Sequence, residues 1–372
     1  MGRNDLRSQT LDLLRFPLAV VVLMIHTFSS EGLELRGQEL TFTDHPVFME
    51  VNRWIDGFLR GQSVPIYYFI SGFVFFLGVE MTRETYLRKF KNRVKSLVIP
   101  YFVWNLLAIG LMLGISLNPF FKDYTAGHTF TFSWPSLLSC FWVYDGGLAG
   151  VVMNPEENVH PIDVPLWFVR DLIIVVLCTP ILHLLLRRFG RYLVCLLGLV
   201  WFVVPYLHLR TLGFESAFFF FSWGAYMSIN RKDMLQVFGQ YFKVSVCLYL
   251  LLGISHVAAA HYWPEAQGVI KQLNVLVGLL FAYNFAAWLL KRGICKANPF
   301  LASASFFVYV AHALVVPRIL KLLFITFSPA SDWALLLVYT LAVVLTVALL
   351  LGAFYLMRRY TPGLLKVVAG RK

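Results

Sequence analysis

The chain has 372 residues, 59% of them apolar, 16% aromatic and 14% charged, with a formal net charge of +12. A soluble domain averages about 45–50% apolar and about 25% charged residues, so an ordinary cytosolic enzyme, a disordered chain and a nucleic-acid binder are all excluded. The cations stand in short clusters between long apolar runs, as in a multi-spanning membrane protein.

A membrane helix needs about 20 predominantly apolar residues to cross a roughly 30 Å hydrocarbon core. Windows of that size predict ten helices, at 12–30, 64–80, 97–117, 165–186, 192–209, 213–229, 243–260, 269–290, 300–322 and 333–357. The expected fold is an all-α integral membrane bundle of about ten transmembrane helices, one domain over residues 1–372. The first window contains Asp12 and Arg15 and lacks a small-residue cleavage pattern, so it reads as a retained helix and not a signal peptide. With the N-terminus inside and the helices alternating, 23 of the 32 Lys and Arg residues fall on the cytoplasmic side, which predicts cytoplasmic termini. Two long outer loops result. Residues 31–63 are net acidic, and residues 118–164 form the longest polar interval. The five cysteines are scattered without CxxC or Cys/His spacing, so neither a disulfide framework nor a metal site is expected.

Ionisable groups inside membrane helices are costly and usually face a protein interior or a hydrated cavity. The first helix holds Arg15 and His26. Eleven residues at about 100° each bring both side chains to one face, about 16 Å apart along the axis. A cation near the cytoplasmic mouth and a titratable base buried deeper suit a long anionic substrate entering from the cytosol. The plain alternative is that Arg15 snorkels to the interface, with Asp12 three residues earlier as its partner, while His26 merely packs. Ser71 and Gly72 read as a small-residue step for close helix packing rather than a nucleophile. Arg93 and Lys95 read as positive-inside anchors. Arg170 and Asp171 follow Trp167 in the fourth helix, where a buried pair would orient a substrate or satisfy itself. Tyr309 and His312 share one helix face at i and i+3. The run Phe218, Phe219, Phe220, Phe221 and Trp223 reads as lipid-facing or packing, and His183 and His256 as interfacial residues.

Arginine, ten residues and then histidine in the first helix resembles the signature of acyltransferase family 3, and four further stretches match in order. Tyr68-Phe69-Ile70-Ser71-Gly72-Phe73 resembles its Ser-Gly-Phe motif, and Arg93-Val94-Lys95-Ser96-Leu97-Val98-Ile99-Pro100-Tyr101 its basic stretch. Pro165-Leu166-Trp167-Phe168-Val169-Arg170-Asp171 resembles its Leu-Trp-Phe element, and Ser305 to His312 a late Tyr-x-x-His helix. Ser96 stands where many members carry a second arginine; Lys91 and Lys95 supply charge there without a bidentate fork. The resemblance implies a multi-pass protein of the bacterial cytoplasmic (inner) membrane. It implies transfer of an acyl group, acetyl by expectation, from cytosolic acyl-coenzyme A to a hydroxyl of an extracytoplasmic polysaccharide or lipid-linked glycan, without a metal. Within it His26 is the expected catalytic base, and Arg15, Arg93 and Lys95 meet the donor phosphates. Trp167, Arg170, Asp171, Tyr309 and His312 are expected to contact substrate. The alternative is an exporter of polysaccharide or lipid-linked sugar that performs no transfer.

Overall fold

The computed structural model describes residues 3–28, 33–35, 38–117, 133–143, 160–207 and 213–370. Most of the predicted outer loop 118–164 lies outside the described residues. The described residues are helical, with turns between the helices, apart from one short hairpin. In order, α1 spans Arg3–Thr27, β1 Leu33–Leu35, β2 Gln38–Leu40, α2 Pro46–Phe58, α3 Ser63–Phe76 and α4 Arg83–Arg93; a π-helical turn over Val94–Val98 leads into α5, Ile99–Leu117. Then come α6 (Trp134–Ser139), α7 (Trp167–Leu177), α8 (Thr179–Phe189), α9 (Arg191–Val203), α10 (Phe214–Ile229) and α11 (Met234–Gly239). The rest is α12 (Phe242–Tyr262), α13 (Pro264–Lys291), α14 (Pro299–Phe327), α15 (Asp332–Tyr360) and α16 (Pro362–Val368). All five cysteines are free thiols.

Among the described residues six helices are long and apolar enough to cross a bilayer: Asp5–Thr27, the continuous Arg83–Ile115, α12, α13, α14 and α15. The molecule is therefore a multi-pass membrane protein. The predicted fourth window is a bent pair, Val164–Leu177 and Thr179–Phe189, meeting at 65°. Pro180 in the first turn of α8 explains the bend, because a proline ring clashes with the preceding turn and removes a donor. The windows 64–80 and 213–229 fold as α3 and α10, of 14 and 16 residues. These reach about 21 and 24 Å at 1.5 Å per residue, short of a full hydrocarbon core.

The chain divides into two compact units. Unit 1 comprises residues 1–21, 53–93 and 171–305. Its centre is α3 against α10, two helices whose backbones nearly touch. A Cβ on Gly72 would lie 2.0 Å from the Phe221 carbonyl oxygen, and one on Gly224 would lie 2.0 Å from that of Phe69. Only glycine permits that approach, so the Ser-Gly step is a packing device, as its composition suggests. Phe219, Phe220 and Phe221 are buried in this core, which settles the aromatic run of α10 as packing. Unit 1 also holds an ionic cluster. Asp56 takes Arg60 at 2.5 Å, Lys271 at 3.1 Å and His256 Nε2 at 3.4 Å. His256 is thus buried and partnered, not interfacial.

Unit 2 comprises residues 22–52, 94–170 and 306–372. Phe28, Phe42, Phe48, Phe324 and Tyr339 pack ring on ring, the Phe48–Tyr339 centroids being 4.8 Å apart. A second cluster joins Ala108, Ile109, Met112, Cys140 and Ile162. Helix α16 is tied to α5 by the Trp104 indole, which donates to the Val368 carbonyl at 2.8 Å.

Candidate functional site

Unit 2 gathers most of the side chains singled out in the sequence. His26 lies in the last turn of α1, and its side chain is exposed. The sequence places this base deeper, because the apolar window runs over 12–30. The helix instead begins at Arg3, nine residues before the window, and ends at Thr27, so the end of the apolar run is the end of the helix. His312, in the interior of α14, is fully buried, and its ring centroid lies 5.4 Å from that of His26 at 39°. His312 Nδ1 is 2.5 Å from the Tyr309 carbonyl. A carbonyl only accepts, so Nδ1 carries the proton and Nε2 is left with a lone pair. That Nε2 has no hydrogen-bond partner among the described residues.

Tyr309 connects two of the sequence stretches. Its hydroxyl donates to the Pro165 carbonyl, and its ring meets Phe168 edge-on at 5.5 Å. The Pro165–Phe168 element is thereby fixed to α14. Trp167 starts α7, with its ring 5.9 Å from the His160 imidazole. Arg170 is buried; its Nη1 donates to the Trp142 carbonyl at 2.8 Å and its guanidinium sits 5.2 Å from the Trp142 ring. Burial, and secondarily the charge of Arg170, pushes His160 down to about 4, so this imidazole is neutral at pH 7.

Two further residues join this unit without having been chosen from the sequence as site residues. Asp163 is fully buried just before the Pro165 element, its backbone N–H donating to Asn105 Oδ1 at 3.3 Å. Both of its carboxylate oxygens lack a partner among the described residues. Burial drives this carboxyl well above the usual carboxylate range, and the charge of Arg318 opposes the shift. Arg318, six residues after His312, reaches only the Ala313 carbonyl with Nη1, at 3.4 Å, and its Nη2 has no partner among the described residues. An arginine inside an apolar run was the available signal.

Unit 1 holds the cationic part. Arg15 bridges Asp12 at 2.9 Å, as their spacing suggests, and its backbone carbonyl accepts from the Tyr67 hydroxyl at 2.5 Å. Arg93 lies over the Phe75 ring at 5.9 Å and close enough to Arg15 to feel its charge. Asp171 is fully buried in α7. Lys95, which falls in unit 2, is exposed on the π-helical turn. Among the described residues no three His, Cys, Asp or Glu side chains converge as a metal-binding set.

Comparison with known proteins agrees with the motif pattern. The family model described as an acyltransferase domain, that of acyltransferase family 3, matches residues 9–355, and the chain belongs to that family. The succinoglycan biosynthesis protein ExoH of Rhizobium meliloti (strain 1021) is 21% identical over 331 residues, covering 86% of this chain and 82% of that protein. No solved structure matches the chain.

Proposed function

From membership of that family, we propose that the protein transfers an acyl group, acetyl by preference, from cytosolic acyl-coenzyme A to a hydroxyl of an extracytoplasmic polysaccharide or lipid-linked glycan. The observation that carries this reading is the His26–His312 pair, an exposed imidazole 5.4 Å from a buried one whose Nε2 lone pair is unused. The relative named for succinoglycan biosynthesis supports a polysaccharide as acceptor. The basic clusters support ten spans in the bacterial cytoplasmic membrane with both termini inside. In that arrangement the short α3 and α10 cross where protein covers them, since most of their residues are buried.

In the proposed reaction the acceptor hydroxyl gives its proton to neutral His26. The oxygen attacks the thioester carbonyl, the new C–O bond forms as the C–S bond breaks, and the coenzyme A thiolate leaves and takes the proton back. An imidazole suits the task because its ordinary pKa is near working pH. Arg15 and Arg93 offer the donor phosphates two guanidiniums, with Lys95 adding charge. Trp167 offers the glycan a ring to stack on, and Arg170, Asp171, Tyr309 and His312 hold or orient it.

The test uses inside-out membrane vesicles given acetyl-labelled coenzyme A. Label moves to glycan with the wild-type protein and not with His26→Ala, whose thermal midpoint remains that of the wild type. Transfer by His26→Ala at the wild-type rate removes His26 from the reaction. No transfer by the wild type from any acyl donor leaves the exporter without chemistry.

A further inference from the structure

Unit 1 contains a cavity of about 770 Å³ where the start of α1 meets the C-terminal ends of α3, α8 and α10. Four cations line it, Arg7, Arg187, Arg231 and Lys232, against one carboxylate, Glu80. None of the four forms a salt bridge among the described residues. Arg7 instead lies over the Phe73 ring at 5.7 Å and Lys232 over the Tyr226 ring at 5.0 Å. A cation at a helix C-terminus is ordinary, because it offsets the partial negative charge of the last carbonyls. That accounts for one charge per helix end on an open surface, and not for four that share a single concavity and repel one another. The cavity also has an unused hydroxyl. Ser228 is 8% exposed and lines the cavity, and its Oγ has no hydrogen-bond partner among the described residues.

We infer that this cavity is a binding site for phosphate esters, with Arg187, Arg231, Arg7 and Lys232 supplying charge-assisted donors and Ser228 a neutral one. Its volume lies in the range of small-molecule sites, about 300–1,000 Å³, large enough for two linked phosphates. Guanidinium forks match phosphate oxygens bidentately, which is the use arginine serves better than lysine. Two sources carry this chemistry: the phosphates of a soluble nucleotide-bearing acyl carrier, and the headgroup phosphate of an anionic lipid. The first source rests on the donor reading above; the anion site itself does not.

The experiment uses the full-length protein in nanodiscs and the double variant Arg187→Gln/Arg231→Gln, both positions being exposed. The control is Arg358→Gln, an exposed cation outside the cavity. Coenzyme A is titrated calorimetrically in phosphatidylcholine discs, with inorganic pyrophosphate as competitor. Retained lipid is counted by native mass spectrometry in discs containing phosphatidylglycerol. A loss of coenzyme A affinity of at least about tenfold in the double variant alone, with pyrophosphate competing in the wild type, assigns the soluble source. Loss of bound phosphatidylglycerol with coenzyme A binding unchanged assigns the lipid source. If the double variant matches the wild type with both probes, the site is refuted, even where acyl transfer proceeds. If the wild type transfers no acyl group yet its anion binding depends on Arg187 and Arg231, the donor reading falls and the site stands.

Discussion

The contact of α3 with α10 makes the sharpest structural prediction, because each helix presents a glycine to the other's backbone. A Cβ at Gly72 would sit 2.0 Å from the Phe221 carbonyl oxygen, where ordinary contact begins at 3.4 Å. A flexible side chain could swing away, but a helical carbonyl cannot, so Gly72→Ala forces the axes apart by about 1.4 Å. A gap of only 0.5–1 Å forfeits roughly a quarter to a half of each dispersion well, and this interface carries the unit's aromatic core. The cost should reach the upper end of overpacking penalties, about 3 kcal/mol. Gly224→Ala meets the Phe69 carbonyl at the same 2.0 Å and should cost about as much. One displacement relieves both clashes, so the double variant should cost less than the two singles together by roughly 1–2 kcal/mol. The control is Gly110→Ala on α5, where nothing lies within 4 Å of the added Cβ; helix propensity alone should leave it neutral or stabilised by up to about 1 kcal/mol. Reversible unfolding in mixed micelles by a denaturing detergent reads all four variants. Wild-type stability of Gly72→Ala, or strict additivity of the pair, would refute the backbone contact.

Asp163→Asn should alter the pH dependence of stability. The buried carboxyl of Asp163 titrates well above its ordinary value of 3.8, so the stability it contributes is complete below about pH 4 and falls as pH rises toward the folded value, by about 1.4 kcal/mol per pH unit. The Asn variant lacks that loss and should gain on the wild type between pH 4 and 7; parallel midpoint curves over that range would show an ordinary ionised carboxylate. His312→Phe keeps a ring in the same space but removes Nε2, the atom proposed to orient the acceptor, and kcat for transfer should fall by about 100-fold with KM for the donor unchanged. An unchanged kcat in that variant would confine the ring to packing.

The long helices were legible because their cause is local. A run of apolar residues must avoid water and satisfy its own backbone, which in a membrane leaves a helix. The windows 97–117, 243–260 and 333–357 accordingly match α5, α12 and α15 at Ile99–Leu117, Phe242–Tyr262 and Asp332–Tyr360. The window of the first helix missed nine residues at its start, since Arg3 to Leu11 form a polar helical extension that hydropathy does not register. The bend at α7–α8 was marked by Pro180, a backbone signal inside a window chosen on side-chain hydropathy alone. The ends of α3 and α10 were marked only by glycines at positive φ, Gly78 just after α3 and Gly213 at the start of α10.

Site geometry was legible only where it follows from helical spacing. Asp12 with Arg15, and Tyr309 with His312, are three residues apart and meet as that spacing requires. His26 with His312, Asp56 with His256 and Tyr309 with Pro165 join residues far apart in the chain, and no periodicity encodes them. What the sequence did carry, unread, was cost. An orphaned buried polar atom destabilises by about 1–3 kcal/mol, whereas an apolar side chain of similar shape would cost nothing. Asp163, His312 and Arg318 each keep such an atom within unit 2, where leucine or phenylalanine would pack as well and give a more stable protein. Of the three, His312 keeps its orphaned atom within 5.4 Å, ring to ring, of the exposed His26, which makes intramembrane polar groups lying off the expected helix stripe the residues to inspect first in chains of this kind.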